Sequence, residues 1–234
     1  LTRFGMQPIQ IVADVQRLID QEREELSRRN VFRQNAGVKD FALDQYHSFD
    51  EITDFVNSVA SQYSDIATVM SLGSSFEGRN IIGLKIGKAG TGKSAFYIDA
   101  NIHAREWAAG STAVWAINEL VTKYSTDAGI KKLVDSIDFY IFPIVNPDGY
   151  VYSWTKDRMW RKTRSGPHCK DGWMGQQCCH GVDPNRNFPF HWGGADDSDD
   201  PCNTEIYEGP SAFSENNTQG SSTFLLAHTD CVKA

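Results

Sequence analysis

The 234 residues contain no run of about 20 apolar side chains, the length needed to cross a bilayer as a helix, so nothing in the sequence predicts a membrane span. They also lack a basic excess. The formal net charge is −7, which argues against nucleic acid as a main partner, because phosphate binding needs a cationic face. Internal repeats are absent. Cys-x-x-Cys pairs are absent too, although five cysteines occur, at Cys169, Cys178, Cys179, Cys202 and Cys231. The adjacent pair Cys178-Cys179 is poor spacing for a zinc site, so the cluster reads as disulfides and therefore as an oxidising compartment, with Cys231 the odd one. Residue 1 is Leu, and no charged-then-apolar leader follows it, so for an exported protein the signal peptide is expected outside these residues.

What is present supports a packed core. Hydrophobic residues make up 40% and aromatic residues 12%. Ile11, Val15, Leu18, Ile19 and Leu26 recur at helical spacing, which predicts an amphipathic helix over 9–29 ending at Arg28-Arg29-Asn30. A linker over 30–45 follows. Together with the nearby Arg33, the basic helix end invites cleavage by a trypsin-like protease; its other reading is a solvated helix end whose cations complement the dipole. Ser48-x-x-Glu51 is a capping box opening a helix that carries Ile52, Phe55, Val56 and Val59.

Strands are predicted at 67–73 and 80–87, joined at Glu77-Gly78-Arg79, and again at 95–101. Helices follow at about 108–124 and 129–135. The apolar run 137–145 predicts a strand central in a sheet. Asn146-Pro147-Asp148-Gly149 breaks that strand with turn chemistry. Residues 155–210 read as loop, and 218–230 as a helix. Strands alternating with helices predict an α/β domain.

One motif is a decoy. Gly87 to Ser94 matches G-x-x-x-x-G-K-[ST], the loop that cradles phosphates. That mechanism needs a helix after the loop, whereas Ala95-Phe96-Tyr97-Ile98 has strand character, so the segment reads as a Gly-rich turn between strands.

His103-x-x-Glu106 lies between a predicted strand and a predicted helix, where residues three apart can turn toward one point. Imidazole and carboxylate are suitable zinc ligands. Alone the pair is weak, since a capped helix start with a surface histidine has the same pattern. Its neighbours raise its weight. His103-Ala104-Arg105-Glu106-Trp107, Asn146-Pro147-Asp148-Gly149-Tyr150, the Arg158–Arg164 run Arg-Met-Trp-Arg-Lys-Thr-Arg, Gly181 to Phe188 and Gly209 to Glu215 resemble, in order and with similar gaps, the signatures of the pancreatic-type zinc metallocarboxypeptidases. The resemblance runs from about residue 9 to the end.

It implies a mixed β-sheet flanked by helices, a pro-region end with a linking helix over 1–35, and the N-terminal two-thirds of a catalytic domain over 36–234. It implies a monomeric, secreted zymogen of digestive type that removes the C-terminal amino acid from peptides and proteins with one zinc ion. Its partners would be substrate C-termini and an activating trypsin-like protease acting near Arg28, Arg29 or Arg33. His103 and Glu106 would be two of three metal ligands, and Asp183 the carboxylate that fixes the His103 tautomer. Asn185 and Arg186 would grip the substrate's terminal carboxylate. Arg161 would stabilise the oxyanion, and Arg105 and Arg158 would contact the peptide further along.

The resemblance also implies a Cys179–Cys202 disulfide and, in an insertion, a Cys169–Cys178 pair. It places the third ligand, a histidine, about four residues past Ala234, and the general-base glutamate and specificity pocket beyond it. The expectation is a partial sequence of an active precursor, the alternative a truncated product that only binds peptide C-termini, and in either case no hydrolysis by the 234 residues alone. His228 falls on the preceding helix and is no substitute. The acidic run Asp196, Asp197, Asp199 and Asp200 suggests a solvated loop or a calcium site. Asn216-Asn217-Thr218 is a glycosylation sequon.

Overall fold

A computed structural model describes residues 10–30, 41–172, 175–229 and 232. The chain divides into two compact units, Leu1–Lys39 and Asp40–Ala234. In the first, α1 spans Val15–Asn30. It begins six residues later than the apolar spacing predicts. The reason is Asp14, whose Oδ1 accepts from the Gln16 and Arg17 N–H groups at 2.9 and 3.3 Å and so caps the helix. Ile11 is left outside, 92% exposed. Arg28 pairs with Glu24 one turn back, at 2.5 Å. Arg33 lies outside the described residues, as does the side chain of Arg29.

The second unit opens with α2 (Phe49–Gln62), started by the predicted capping box. Glu51 N–H donates to Ser48 Oγ at 3.3 Å, and Ser48 N–H donates back to Glu51 Oε2 at 2.7 Å. The His47 imidazole, then these Ser48 donors, outweigh partial burial and hold the Glu51 carboxyl down to about 2. A depressed folded-state pKa gives stability that is complete above the ordinary value of 4.5 and disappears as the pH falls toward 2. At pH 7, Glu51→Gln is therefore expected to cost about 1–2 kcal/mol after allowance for partial exposure. Urea unfolding of both proteins at pH 7 and pH 3 checks this. The gap should narrow at the lower pH, and a gap of constant size would refute the electrostatic account.

Strands β1 (Ala67–Ser74), β2 (Asn80–Ile86), β3 (Ser94–Asp99) and β4 (Ile137–Phe142) form one sheet in the order β1-β2-β4-β3. Pairing is antiparallel for β1–β2 and β2–β4 and parallel for β3–β4, so the sheet is mixed. The apolar strand β4 lies inside it, as expected. Leu72, Ile81, Tyr140 and Phe142 pack with Phe224 of α6 (Asn216–Leu226). Leu84, Ile86 and Ile141 have the opposite parity, point to the other face and are fully buried. Helices α2 and α3 (Trp107–Thr122) both lie against β2. On β3, Phe96 and Ile98 are 52% and 37% exposed, and Val232 makes an isolated parallel bridge to Ala95.

Three local readings need correction. Residues 87–93 join strands, but not neighbouring ones: β4 lies between β2 and β3, so the loop is a crossover and not a hairpin. Lys93, the residue a phosphate loop would aim at nucleotide, instead pairs with Asp138 at 2.6 Å and donates to the Val134 carbonyl of α4 (Ala128–Ser136) at 3.1 Å. Secondly, Asn146 does not turn the chain; it caps a helix. Its Oδ1 accepts from Gly149 N–H at 3.1 Å, and α5 runs over Pro147–Thr155 with proline at its start, where no N–H is needed. Thirdly, the region read as loop contains a hairpin, β5 (His168–Gly172) with β6 (Gly175–Cys179). Its polar, exposed strands carry no apolar alternation to betray them.

Two disulfides form, Cys169–Cys178 across the hairpin and Cys179–Cys202 out of it. Cys231 lies outside the described residues. Among the described residues no helix is long and apolar enough to cross a membrane.

Candidate metal and peptide site

The site forms where three loops meet. The first, 100–106, leaves β3 and enters α3. Asn101 adopts φ +52°, a conformation asparagine tolerates, and its Nδ2 donates to the Glu106 carbonyl at 2.9 Å. Gly110 sits against it; a Cβ there would lie 2.2 Å from Asn101 Oδ1. The second loop, 161–163, joins the first through Ala104 N–H to the Arg161 carbonyl at 3.0 Å. Asn146 Nδ2 donates to the carbonyls of both Ile102 and Lys162, each at 3.1 Å. The third, 181–187, is tied to the second by Thr163 N–H donating to Val182 O at 2.9 Å. Gly181 makes that approach possible, since a Cβ there would lie 2.2 Å from the Thr163 carbonyl.

These loops bring the predicted residues into one connected network. His103 is buried, and its two ring nitrogens face different partners. Nδ1 lies 3.1 Å from Glu106 Oε1, and Nε2 lies 3.3 Å from Asp183 Oδ1. Asp183 is fully buried. Its Oδ1 also accepts from Asn185 N–H at 2.9 Å, and its Oδ2 accepts from Arg161 Nη2 and Nε at 2.8 and 3.2 Å. Burial alone would raise the Asp183 carboxyl, but the bonds to His103 and Arg161 outweigh it and hold the group below the usual carboxylate range.

The His103–Glu106 pair fits two positions of a zinc ion. Donors at about 2.0–2.1 Å from a tetrahedral metal lie roughly 3.3 Å apart. The observed 3.1 Å is close to that, and His103 turns Nδ1 toward Glu106 while its other nitrogen faces a carboxylate. Among the described residues no group of three or more His, Cys, Asp or Glu side chains is placed to hold a metal.

The four predicted site arginines are all engaged. Arg161 Nε also donates to the Glu205 carbonyl at 2.9 Å. Arg105 makes a two-pronged pair with Glu205, at 3.0 and 2.6 Å. Arg158 lies 3.6 Å above the Trp107 ring, and its Nη1 donates to the Arg105 carbonyl at 2.8 Å. Arg186 Nε pairs with Asp197 at 3.0 Å, and Nη1 donates to the Asn185 carbonyl at 3.1 Å. Asn185 is exposed, and with Arg186, Phe188 and Trp192 it borders an open cleft of about 500 Å³.

The acidic run is partly spent on such pairs. Asp197 holds Arg186, Asp199 pairs with Lys170, and Asp200 accepts from Cys202 N–H at 2.9 Å. His228 lies in the turn just past the end of α6 and not on the helix as read, and it stacks on Phe224, 4.2 Å between centroids.

Sequence reasoning passed over Asn101, Glu205 and Lys162. Lys162 Nζ is buried and donates to the carbonyls of Pro201 and Asn203 at 3.1 and 2.8 Å, which fixes the segment that carries Glu205. Burial pushes its ammonium down to about 8. An asparagine just before the zinc-ligand pattern is a readable hint of a left-handed turn. Glu205 carries no such hint, because its partner Arg105 is 100 residues away.

Comparison with known proteins bears on the family and the fold. The zinc carboxypeptidase family matches residues 52–232. Carboxypeptidase B of Astacus astacus is 45% identical over 170 residues, covering 73% of this chain and 53% of that protein. Carboxypeptidase A2 of Rattus norvegicus is 40% identical over 218 residues, covering 93% and 49%. Among solved structures, carboxypeptidase A from Helicoverpa armigera superposes with a TM-score of 0.83 at 31% identity, over 99% of this chain and 54% of that one. The chain spans about half the length of the curated relatives it matches.

Proposed function

The chain belongs to the zinc carboxypeptidase family, and we propose that the whole protein is a secreted, zinc-dependent exopeptidase, made as a zymogen, that removes the C-terminal amino acid from peptides and proteins. The observation that carries this reading is the close placement of His103, Glu106, Asp183, Arg161 and Asn185 in one network of contacts. Trimming needs a metal position, an oxyanion donor and a carboxylate grip within one residue's reach of each other, and these are the groups the network joins.

His103 Nδ1 and a Glu106 oxygen would hold zinc, which when bound would supply a Lewis acid and activate water. Asp183 keeps the proton on His103 Nε2, so that Nδ1 presents its lone pair. Arg161, braced by Asp183 and the Glu205 carbonyl, donates to the oxygen on which charge develops. Asn185 and Arg186 grip the terminal carboxylate, which restricts cutting to chain ends. Arg105 and Arg158 border the upstream peptide. The two disulfides suit an oxidising, extracellular setting. Activation follows from a trypsin-like cut at Arg28, Arg29 or Arg33, and the product works as a monomer.

Blocked dipeptides with a free and an amidated C-terminus test the reading. The activated whole protein is expected to hydrolyse only the free acid and to lose activity to a chelator. Equal cleavage of the amide would refute the carboxylate grip. A chain limited to the 234 residues is expected to give no turnover even with zinc, since among the described residues His103 and Glu106 are joined by no third ligand where three are needed. Robust turnover by that chain would refute this assignment of roles.

A further inference from the structure

We propose that Glu205 is a specificity-determining residue: by neutralising Arg105 it makes the upstream peptide subsite indifferent to acidic side chains. The inference rests on the exopeptidase reading and goes beyond it, because it concerns which peptides are accepted.

Arg105 stands between the two metal-binding positions, one residue from Glu106 and two from His103. A guanidinium there would attract any carboxylate carried by the peptide beside the scissile bond. In the structure that attraction is already satisfied. Both guanidinium prongs meet both Glu205 oxygens, at 3.0 and 2.6 Å, which is the strong, planar form of the pairing. The Arg105 hydrogen bond, followed by its charge, holds the Glu205 carboxyl below its usual range despite some burial, so the pair stays ionised in neutral solution.

Glu205 is not a wandering surface side chain. Its N–H donates to Asn203 Oδ1 at 2.9 Å, and its carbonyl accepts from Arg161 at 2.9 Å. Lys162 ties the preceding carbonyls, and Cys202 is bonded to Cys179. The segment is therefore built to present one carboxylate to one arginine. The pair is still open to solvent, with Arg105 24% and Glu205 47% exposed, so a peptide side chain can meet it. A stabilising ion pair at such exposure would contribute little. Its larger consequence is to cancel a charge at the rim of the site.

The test uses the activated, zinc-loaded whole protein and three blocked tripeptides that differ only in the middle residue, Glu, Ala or Lys. The wild type is expected to show KM values within about threefold of one another. Glu205→Gln exposes the Arg105 charge and is expected to lower KM for the Glu peptide about tenfold relative to the Ala peptide, and to raise it for the Lys peptide. Arg105→Gln leaves Glu205 unpaired and is expected to reverse the order. The double variant is expected to return to the flat ranking.

Equilibrium binding of non-hydrolysable analogues of the three peptides should follow the same order, independently of turnover. A merely structural pair would move stability and leave the ranking unchanged. If the wild type cleaves these peptides and both single variants keep its ranking, the assignment of Glu205 is overturned. If the wild type cleaves none of them, the exopeptidase reading itself falls, and the binding series alone decides whether Glu205 sets the charge preference.

Discussion

Replacing Asp183 by alanine is expected to weaken zinc binding by the whole protein roughly 10–100-fold and to destabilise the fold by about 3 kcal/mol. The two effects have separate causes. Zinc affinity falls because the carboxylate that faces His103 Nε2 at 3.3 Å, and that on the proposed reading keeps a proton there, is gone. Stability falls because Arg161, only 13% exposed, loses the 2.8 Å contact that compensates its burial. The Glu205 carbonyl remains and limits the loss. Asp183→Asn is expected to behave differently. It keeps an acceptor for the Asn185 N–H but removes the charge, so the zinc effect should persist while part of the stability returns. Competition with a chelator and urea unfolding read the two effects independently. Unchanged zinc affinity in the alanine variant would show that His103 is oriented by other contacts.

Loss of the Cys179–Cys202 disulfide carries the second large effect. The bridge spans 23 residues, and closing a loop of that size in the unfolded chain corresponds to about 3 kcal/mol. Paired replacement by alanine is expected to lower stability by that amount and to reach the site as well. Cys202 is three residues from Glu205, and the segment between them lies under the Lys162 ammonium. With the bridge gone, the segment that carries Glu205 loses its covalent tie and keeps only hydrogen bonds, among them those from Lys162 and from Asp183 N–H to the Tyr207 carbonyl. Replacing Cys169 and Cys178 should cost less, because that bridge closes a shorter loop, within a hairpin whose described residues are mostly exposed. Urea midpoints of the two double variants provide the comparison. An equal loss in both would contradict the proposed link between the longer bridge and the site.

Much of this was readable before any coordinates. The Ser48–Glu51 capping box, the apolar strand β4 and the turn at Gly78 announce themselves through local chemistry, and local chemistry is complete within a few residues. The approach of His103 to Glu106 was readable as a pattern because helix-start geometry turns residues three apart toward one point. The misreadings share a cause. Asn146-Pro147-Asp148-Gly149 has turn composition, but the same residues cap and begin a helix, and only the chain beyond them decides between the two. The apolar spacing of α1 ran on to residue 9 because periodicity does not register the cap at Asp14.

By itself, then, the sequence determined the family and most of the helices and strands, and it named the side chains whose chemistry suits a metal and a carboxylate, because these depend on residue type and short spacing. Tertiary structure decided the rest. It placed β4 between β2 and β3, turned the phosphate-loop lysine onto Asp138, joined Arg161 to Asp183 across 22 residues and set Glu205 against Arg105 across 100. Charge pairs of that separation leave no periodic trace in a chain. They exist only where packed loops carry two groups to within about 3 Å, the distance at which they hydrogen-bond and decide what the site will attract.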